Sequence, residues 1–131
     1  MDRKFYVSLE VARVLKEKGY DRECIAYYQN GEFYPYSVNL FKLNINNKNA
    51  APSYMNQYSA PTKAEAIDWL ESKGVLMSSY PVTILCENST TETHWSCHIV
   101  HKDGTWYTTN AFPTRLEAED AAIIKALELL K

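Results

Sequence analysis

Apolar residues recur along this chain with two different periods. Leu9, Ala12 and Leu15, with Val11 flanking, fall on one side of a 3.6-residue repeat, while Glu10, Arg13 and Glu17 fall on the other. That spacing predicts an amphipathic helix over 8–19. Ser8 suits its N-cap, Lys16 and Lys18 its last turn, and Gly19 the position that follows. Residues 24–28 and 33–36 then read as strands around Gln29-Asn30-Gly31-Glu32, since Asn-Gly between β-formers is a hairpin signal. Pro35 assigns the second of these to a sheet edge. Val38, Leu40, Phe41, Leu43 and Ile45 continue strand-like, an asparagine-rich exposed loop follows, and 54–58 reads as a further strand. Thr62 and Glu65 make a T-x-x-E capping box, so a helix is expected over 63–73, stopped by Gly74.

The second half repeats this grammar. Residues 75–87 are strand-rich with Pro81 as punctuation, 88–92 is a polar turn, and 93–102 returns as a strand closed through Asp103-Gly104. Taken as a two-residue type I′ turn, that closure sets Lys102 opposite Thr105, His101 opposite Trp106, Val100 opposite Tyr107, Ile99 opposite Thr108 and Cys97 opposite Asn110. Trp95, Cys97, Ile99, His101, Trp106, Thr108, Asn110 and Phe112 then share one face, which is expected to be the buried one. A last helix is carried by Ala118, Ala121, Ala122, Ile124, Leu127 and Leu130. Residues 61–68 and 113–120 match as P-T-[KR]-x-E-A-x-D, each a proline, a threonine cap and its reciprocal glutamate at a β-to-α junction. The expected fold is therefore α+β: antiparallel sheet with helices on one face, in the order α-βββ-α-βββ-α. It forms a single domain over 1–131, divisible into two ββ(β)α pseudo-repeats at about 20–74 and 75–131. One sheet and two sheets both fit the pattern.

Composition narrows the function classes. The chain has 131 residues, 46% hydrophobic and 23% charged, which is enough to bury a core and too apolar for disorder. A net charge of -2 supplies no broad cationic field for a nucleic-acid backbone or an anionic membrane. Asp2, Arg3, Lys4 and Glu10 interrupt any signal-peptide apolar core, and no apolar run reaches the roughly 20 residues of a membrane helix. A cytoplasmic protein without membrane contact is expected. Cys24, Cys86 and Cys97 are odd in number and form no C-x-x-C pair, which suits free, buried thiols in a reducing compartment.

Candidate chemistry is sparse. All four glycines serve helix stops or turns, no phosphate-binding glycine motif occurs, and no cofactor is expected. His94, Cys97, His98 and His101 gather every histidine of the chain in one strand. Cys97, His98 and His101 are the candidate metal ligands. Residues four apart on one strand face stand roughly 13 Å apart, however, too far to share one ion. Glu65 with Asp68, and Glu117 with Asp120, are explained by their helix starts. The sequence thus predicts no catalytic residue and no enzyme. A small metal-dependent or cysteine enzyme built on 94–101 is one alternative.

Residues 8–74 also follow the element order of a double-stranded RNA-binding domain. Thr62-Lys63-Ala64-Glu65 opens the second helix with one lysine beside a glutamate, where such domains need a lysine cluster. Weak nucleic-acid binding through exposed aromatics is the other alternative. The compositional excess is ten tyrosines and three tryptophans. Tyrosines are interface anchors, so Tyr27, Tyr28, Tyr34 and Tyr36 are the candidate partner-binding residues, serving an unknown protein partner or a homo-oligomer.

Val7-Ser8-Leu9-Glu10-Val11-Ala12-Arg13-Val14-Leu15-Lys16-Glu17-Lys18-Gly19-Tyr20-Asp21, then Tyr58-Ser59-Ala60-Pro61-Thr62 with Ala66 and Trp69-Leu70, and Pro113-Thr114 with Glu117-Ala118 before an Ala-Leu-Glu helix, resemble small uncharacterised proteins encoded by phages and prophages of Bacteroides-type bacteria. The resemblance covers the two ends and the middle helix. It implies a mobile-element origin, a bacterial cytoplasm and a phage accessory role, and it carries no activity or catalytic residue.

Overall fold

The computed structural model describes residues 3–34 and 57–130. After a 3-10 turn at Arg3–Phe5, the elements run α1 (Leu9–Glu17), β1 (Tyr27–Gln29), β2 (Glu32–Tyr34), β3 (Gln57–Ser59), α2 (Lys63–Ser72), β4 (Val75–Leu85), β5 (Thr91–His101), β6 (Trp106–Thr108) and α3 (Arg115–Leu129). The fold is α+β in the expected order, and the strands form two three-stranded antiparallel sheets. The chain groups into two compact units, one running to Ala66 and the other spanning Ile67–Leu130.

The helix starts are built by the residues the sequence singles out. Ser8 Oγ accepts from the Val11 amide at 3.2 Å. At α2, Thr62 Oγ1 accepts from the Glu65 amide at 3.1 Å while Glu65 Oε1 accepts from the Thr62 amide at 2.9 Å, a reciprocal capping box. At α3, Thr114 Oγ1 accepts from the Glu117 amide at 3.2 Å and donates its hydroxyl proton to Glu117 Oε1 at 2.9 Å.

In the first unit the strand order is β2-β1-β3. Asn30 and Gly31 both have positive φ, 51° and 85°, the type I′ geometry that matches the twist of a two-residue hairpin. Tyr28, Phe33 and Tyr58 lie opposite one another and share a face. The Tyr28 hydroxyl donates to Val7 O at 2.7 Å, and Lys16 of α1 donates to Gln57 O at 3.0 Å, tying the N-terminal segment to the sheet. Val11, Ala12 and Leu15 are the buried residues of α1. Leu9, expected among them, is only half-buried, because the helix is rolled toward Val11. The edge position of Pro35, the strand through 38–45, the asparagine-rich loop, Tyr36 and residues 54–56 lie outside the described residues.

In the second unit the order is β4-β5-β6. The expected break at Pro81 does not occur, for β4 runs unbroken from Val75 to Leu85. The Lys102 amide bonds Gly74 O and the Cys86 amide bonds Thr90 O, each at 2.8 Å. Even-numbered residues of β4 therefore carry the ladder, and Pro81 falls among odd positions whose amides point off the sheet edge, so its missing N–H breaks no bond.

The expected register of β5 with β6 is wrong by one residue. Observed partners are Val100↔Trp106, Ile99↔Tyr107 and His98↔Thr108. The His101 amide bonds Thr105 O at 2.8 Å, and the Gly104 amide bonds His101 O at 2.9 Å. The loop is thus three residues, Lys102-Asp103-Gly104, closed by Gly104 at φ 95°, the turn-plus-bulge alternative to a two-residue hairpin. The β4–β5 connection is built alike, with Glu87-Asn88-Ser89 between bonded Cys86 and Thr90 and Ser89 at φ 66°. A one-residue slip moves every side chain of β6 to the other face. Tyr107 joins Ile99, while Trp106 and Thr108, expected to be buried, face away with Val100 and His98.

Helix α3 packs on β4 and β5. Its buried residues are Ala118, Ala122, Ile123, Ala126 and Leu127, and the alanines bring its axis close to the sheet beside buried Val75, Cys97 and Ile99. Ile124, expected in this face, is 42% exposed, because Ile123 takes the inward position. No helix among the described residues is long and apolar enough to cross a membrane.

Candidate interaction surface

The histidine-cysteine strand is dispersed by its own pleat. Cys97 and His101 fall on the face of β5 that bears α3, and His94 and His98 on the other. His94 Nε2 lies 3.1 Å from Glu92 Oε2, and His98 Nδ1 lies 3.3 Å from Thr108 Oγ1. The ring of His101 contacts Asp103 Oδ1 at 3.0 Å. Among the described residues no three His, Cys, Asp or Glu side chains group closely enough to hold a metal. Cys86 pairs with Thr90 and Cys97 with Ser79, on opposite faces and seven residues apart along β4, so their thiols do not meet. Cys97 is buried, and burial, followed by the carboxylate of Glu119, pushes its thiol up to about 11. A thiol so held is protonated at neutral pH, the reverse of an activated nucleophile. Asp103 shifts the opposite way, down to about 2, through bonds from the Thr105 amide and hydroxyl and from His101, which fasten the hairpin tip.

A shallow groove of about 270 Å³ runs between α3 and the stretch leaving β6, over Ile99, Tyr107, Asn110, Phe112, Ala121 and Lys125. Its cation is already engaged: Lys125 Nζ stands 4.4 Å from the Tyr107 ring centroid and 3.4 Å from Glu128 Oε2. No Asp, Glu, His or Cys lines it, and its two titratable side chains, Tyr107 and Lys125, are held against each other.

The candidate tyrosines separate. Tyr28 is fully buried with its hydroxyl satisfied by Val7 O, a core role that presents no surface. Tyr27 and Tyr34, cross-strand partners, stack at 5.1 Å between centroids and 14° between planes, leaving Tyr34 exposed. Tyr36 lies outside the described residues.

The larger apolar surface is one the sequence pattern misses. On the face of the second sheet opposite α3, Leu76, Val100 and Trp106 stand side by side across all three strands. Leu76 is 52% exposed and Trp106 62%. The next row is Ser78, His98 and Thr108, and beyond it lies exposed Tyr80, paired with buried Ser96. The His98 and Trp106 rings are 5.7 Å apart between centroids. No Asp, Glu, Lys or Arg stands in these rows; charge on this face begins at Lys102, whose stem lies over Gly74, at one end and at Glu92, opposite Ile84, at the other. The signal that could have located this surface is local. Asp103 Oδ1 accepts from the Thr105 amide at 2.8 Å, and Asn88 Oδ1 accepts from the Thr90 amide at 3.3 Å. Asx-x-Thr after a strand thus marks both three-residue loops.

No family model matches the chain, and no curated protein or solved structure is significantly similar to it.

Proposed function

We propose that the chain is a non-enzymatic protein-binding module whose contact surface is the uncovered face of the second sheet. The observation that carries this reading is the row Leu76–Val100–Trp106. A tryptophan left 62% exposed beside an exposed leucine, in rows free of charge, is the composition of an interface centre rather than of ordinary surface. The protonated Cys97 and the acid-free groove support binding over catalysis. We place this module in a bacterial cytoplasm as a phage or prophage accessory protein. That setting rests on the sequence resemblance, and the three free thiols are in keeping with a reducing compartment.

Site-specific photo-cross-linking in the producing cell tests the reading. A benzophenone amino acid replacing Trp106 is expected to give a discrete protein adduct, and the same group replacing Leu85, which is also exposed but stands outside these rows, none. Absence of an adduct from position 106, or an identical pattern from both positions, refutes it.

A further inference from the structure

β4 is the outer strand of the second sheet, eleven residues long, and among the described residues it pairs with β5 alone. Its odd-numbered residues aim their amides and carbonyls away from β5, and nothing bonds the outward amides of Met77, Ser79, Thr83 or Leu85. Such a row of unused donors and acceptors is a template on which another extended chain can pair. Proteins blunt exposed edges by shortness, charge, a bulge or proline. The opposite edge strand, β6, is short, at three residues. β4 is long, carries no Asp, Glu, Lys or Arg, and runs through eleven consecutive pairs without a bulge. Proline is the device that remains, and β4 has it at position 81.

We infer that Pro81 keeps this edge closed to the β4 of a second copy. Placement gives it that effect. The outward-facing residues are Val75, Met77, Ser79, Pro81, Thr83 and Leu85, so the proline falls inside the row and not at its end. A strand added at the usual spacing of about 4.8 Å meets the pyrrolidine ring where an N–H should stand, and one of its carbonyls goes without a donor. Pairing of two copies doubles the defect, because each brings its own Pro81 to the joint. Registers that avoid residue 81 are confined to Val75–Tyr80 or Val82–Leu85, a fraction of the Val75–Leu85 strand. The same proline one residue earlier or later would replace Tyr80 or Val82, whose amides belong to the ladder with β5. Position 81 therefore closes the edge without removing a bond from the sheet, and it is exposed to water. None of this depends on what the open face binds.

Pro81→Thr tests the inference, since it restores the outward donor in a residue suited to strands and leaves the β4–β5 ladder intact. In purified protein the only strand offered to this edge is that of another copy. Sedimentation equilibrium over about 20 μM to 1 mM is expected to show the variant associating roughly tenfold or more tightly than the parent. Amide exchange at Met77, Ser79 and Thr83 is expected to slow as the variant is concentrated and to stay fast in the parent. The variant is expected to melt within about 5 °C of the parent. Three results overturn the inference: a variant whose mass follows that of the parent throughout, association that leaves these amides unprotected, or a melting temperature lowered by more than about 5 °C, which would make Pro81 part of the framework of the strand.

Discussion

Neighbouring residues of β5 should differ sharply in what they contribute to stability. Ile99 is fully buried on the face beneath α3, whereas Val100, one residue on, is half-buried on the open face. Ile99→Ala removes three carbons, about 2.4 kcal/mol of transfer free energy at ~0.8 kcal/mol per methylene. The void left, about 60–80 Å³ before relaxation, adds about 1.5–2 kcal/mol at ~24 cal/mol per Å³. Partial collapse of α3 toward the sheet lowers the sum, giving about 3–4 kcal/mol. Val100→Ala removes two carbons from a site already facing water, and about 1 kcal/mol or less follows. Urea unfolding followed by tryptophan fluorescence reads this directly, because Trp69, Trp95 and Trp106 all belong to the Ile67–Leu130 unit. With a denaturant slope of about 1.5 kcal/mol/M, Ile99→Ala lowers the midpoint by about 2 M and Val100→Ala by less than 1 M. Equal losses, or a larger loss for Val100→Ala, would refute the assignment of the two faces.

Thr62→Ala and Thr114→Ala should each cost about 1 kcal/mol in the same assay, with Thr62 the larger because its capping hydroxyl is part-buried where that of Thr114 is exposed. Ser89→Gly should stabilise by about 0.5–1 kcal/mol, since Ser89 holds φ 66° without the freedom of glycine. A destabilised Ser89→Gly would contradict the loop geometry. The Cys97 thiol, ordinarily 9.0, is pushed up to about 11 by burial. Between these values the unfolded chain binds fewer protons than the folded one, so stability is complete below pH 9 and falls as pH rises through 11, by up to about 2–3 kcal/mol. Urea midpoints at pH 8 and pH 10.5 should diverge in the parent and move together in Cys97→Ala, apart from the same-signed contribution of buried Tyr20.

What could be read from the sequence was local. Ser8, Thr62 and Thr114 with their partners three residues on fix helix starts through bonds closed within one turn, and Asn30-Gly31 has one hairpin geometry that suits it. The misreadings share a different origin, a choice between two local solutions decided by tertiary packing. Asp103-Gly104 serves equally as a two-residue turn or as the end of a three-residue loop, and the second prevails where Asp103 can hold the Thr105 amide. That single residue of length decides whether Trp106 lies in the core or in water. On α3, Ile123 and Ile124 are adjacent, so the docking of the helix on β5, rather than the apolar period, selects Ile123. Tyr28 and Tyr34 both sit in short aromatic strands, and the register sets them on opposite faces, Tyr28 opposite Phe33 and Tyr34 opposite Tyr27. The Val7 carbonyl within reach of the Tyr28 hydroxyl makes one of them core.

The account turns on β6 presenting Trp106 to the open face, and nuclear Overhauser contacts between β5 and β6 measure that most directly. The bonded pairs His101/Thr105 and Cys97/Thr109 make Val100/Trp106 a non-bonded pair, the kind in which facing α-protons approach most closely. A strong contact between the α-protons of Val100 and Trp106 is expected, together with a Trp106 indole quenched by a soluble paramagnetic probe while that of buried Trp69 is spared. A contact between the α-protons of Val100 and Tyr107 instead would return Trp106 to the covered face and contradict the account.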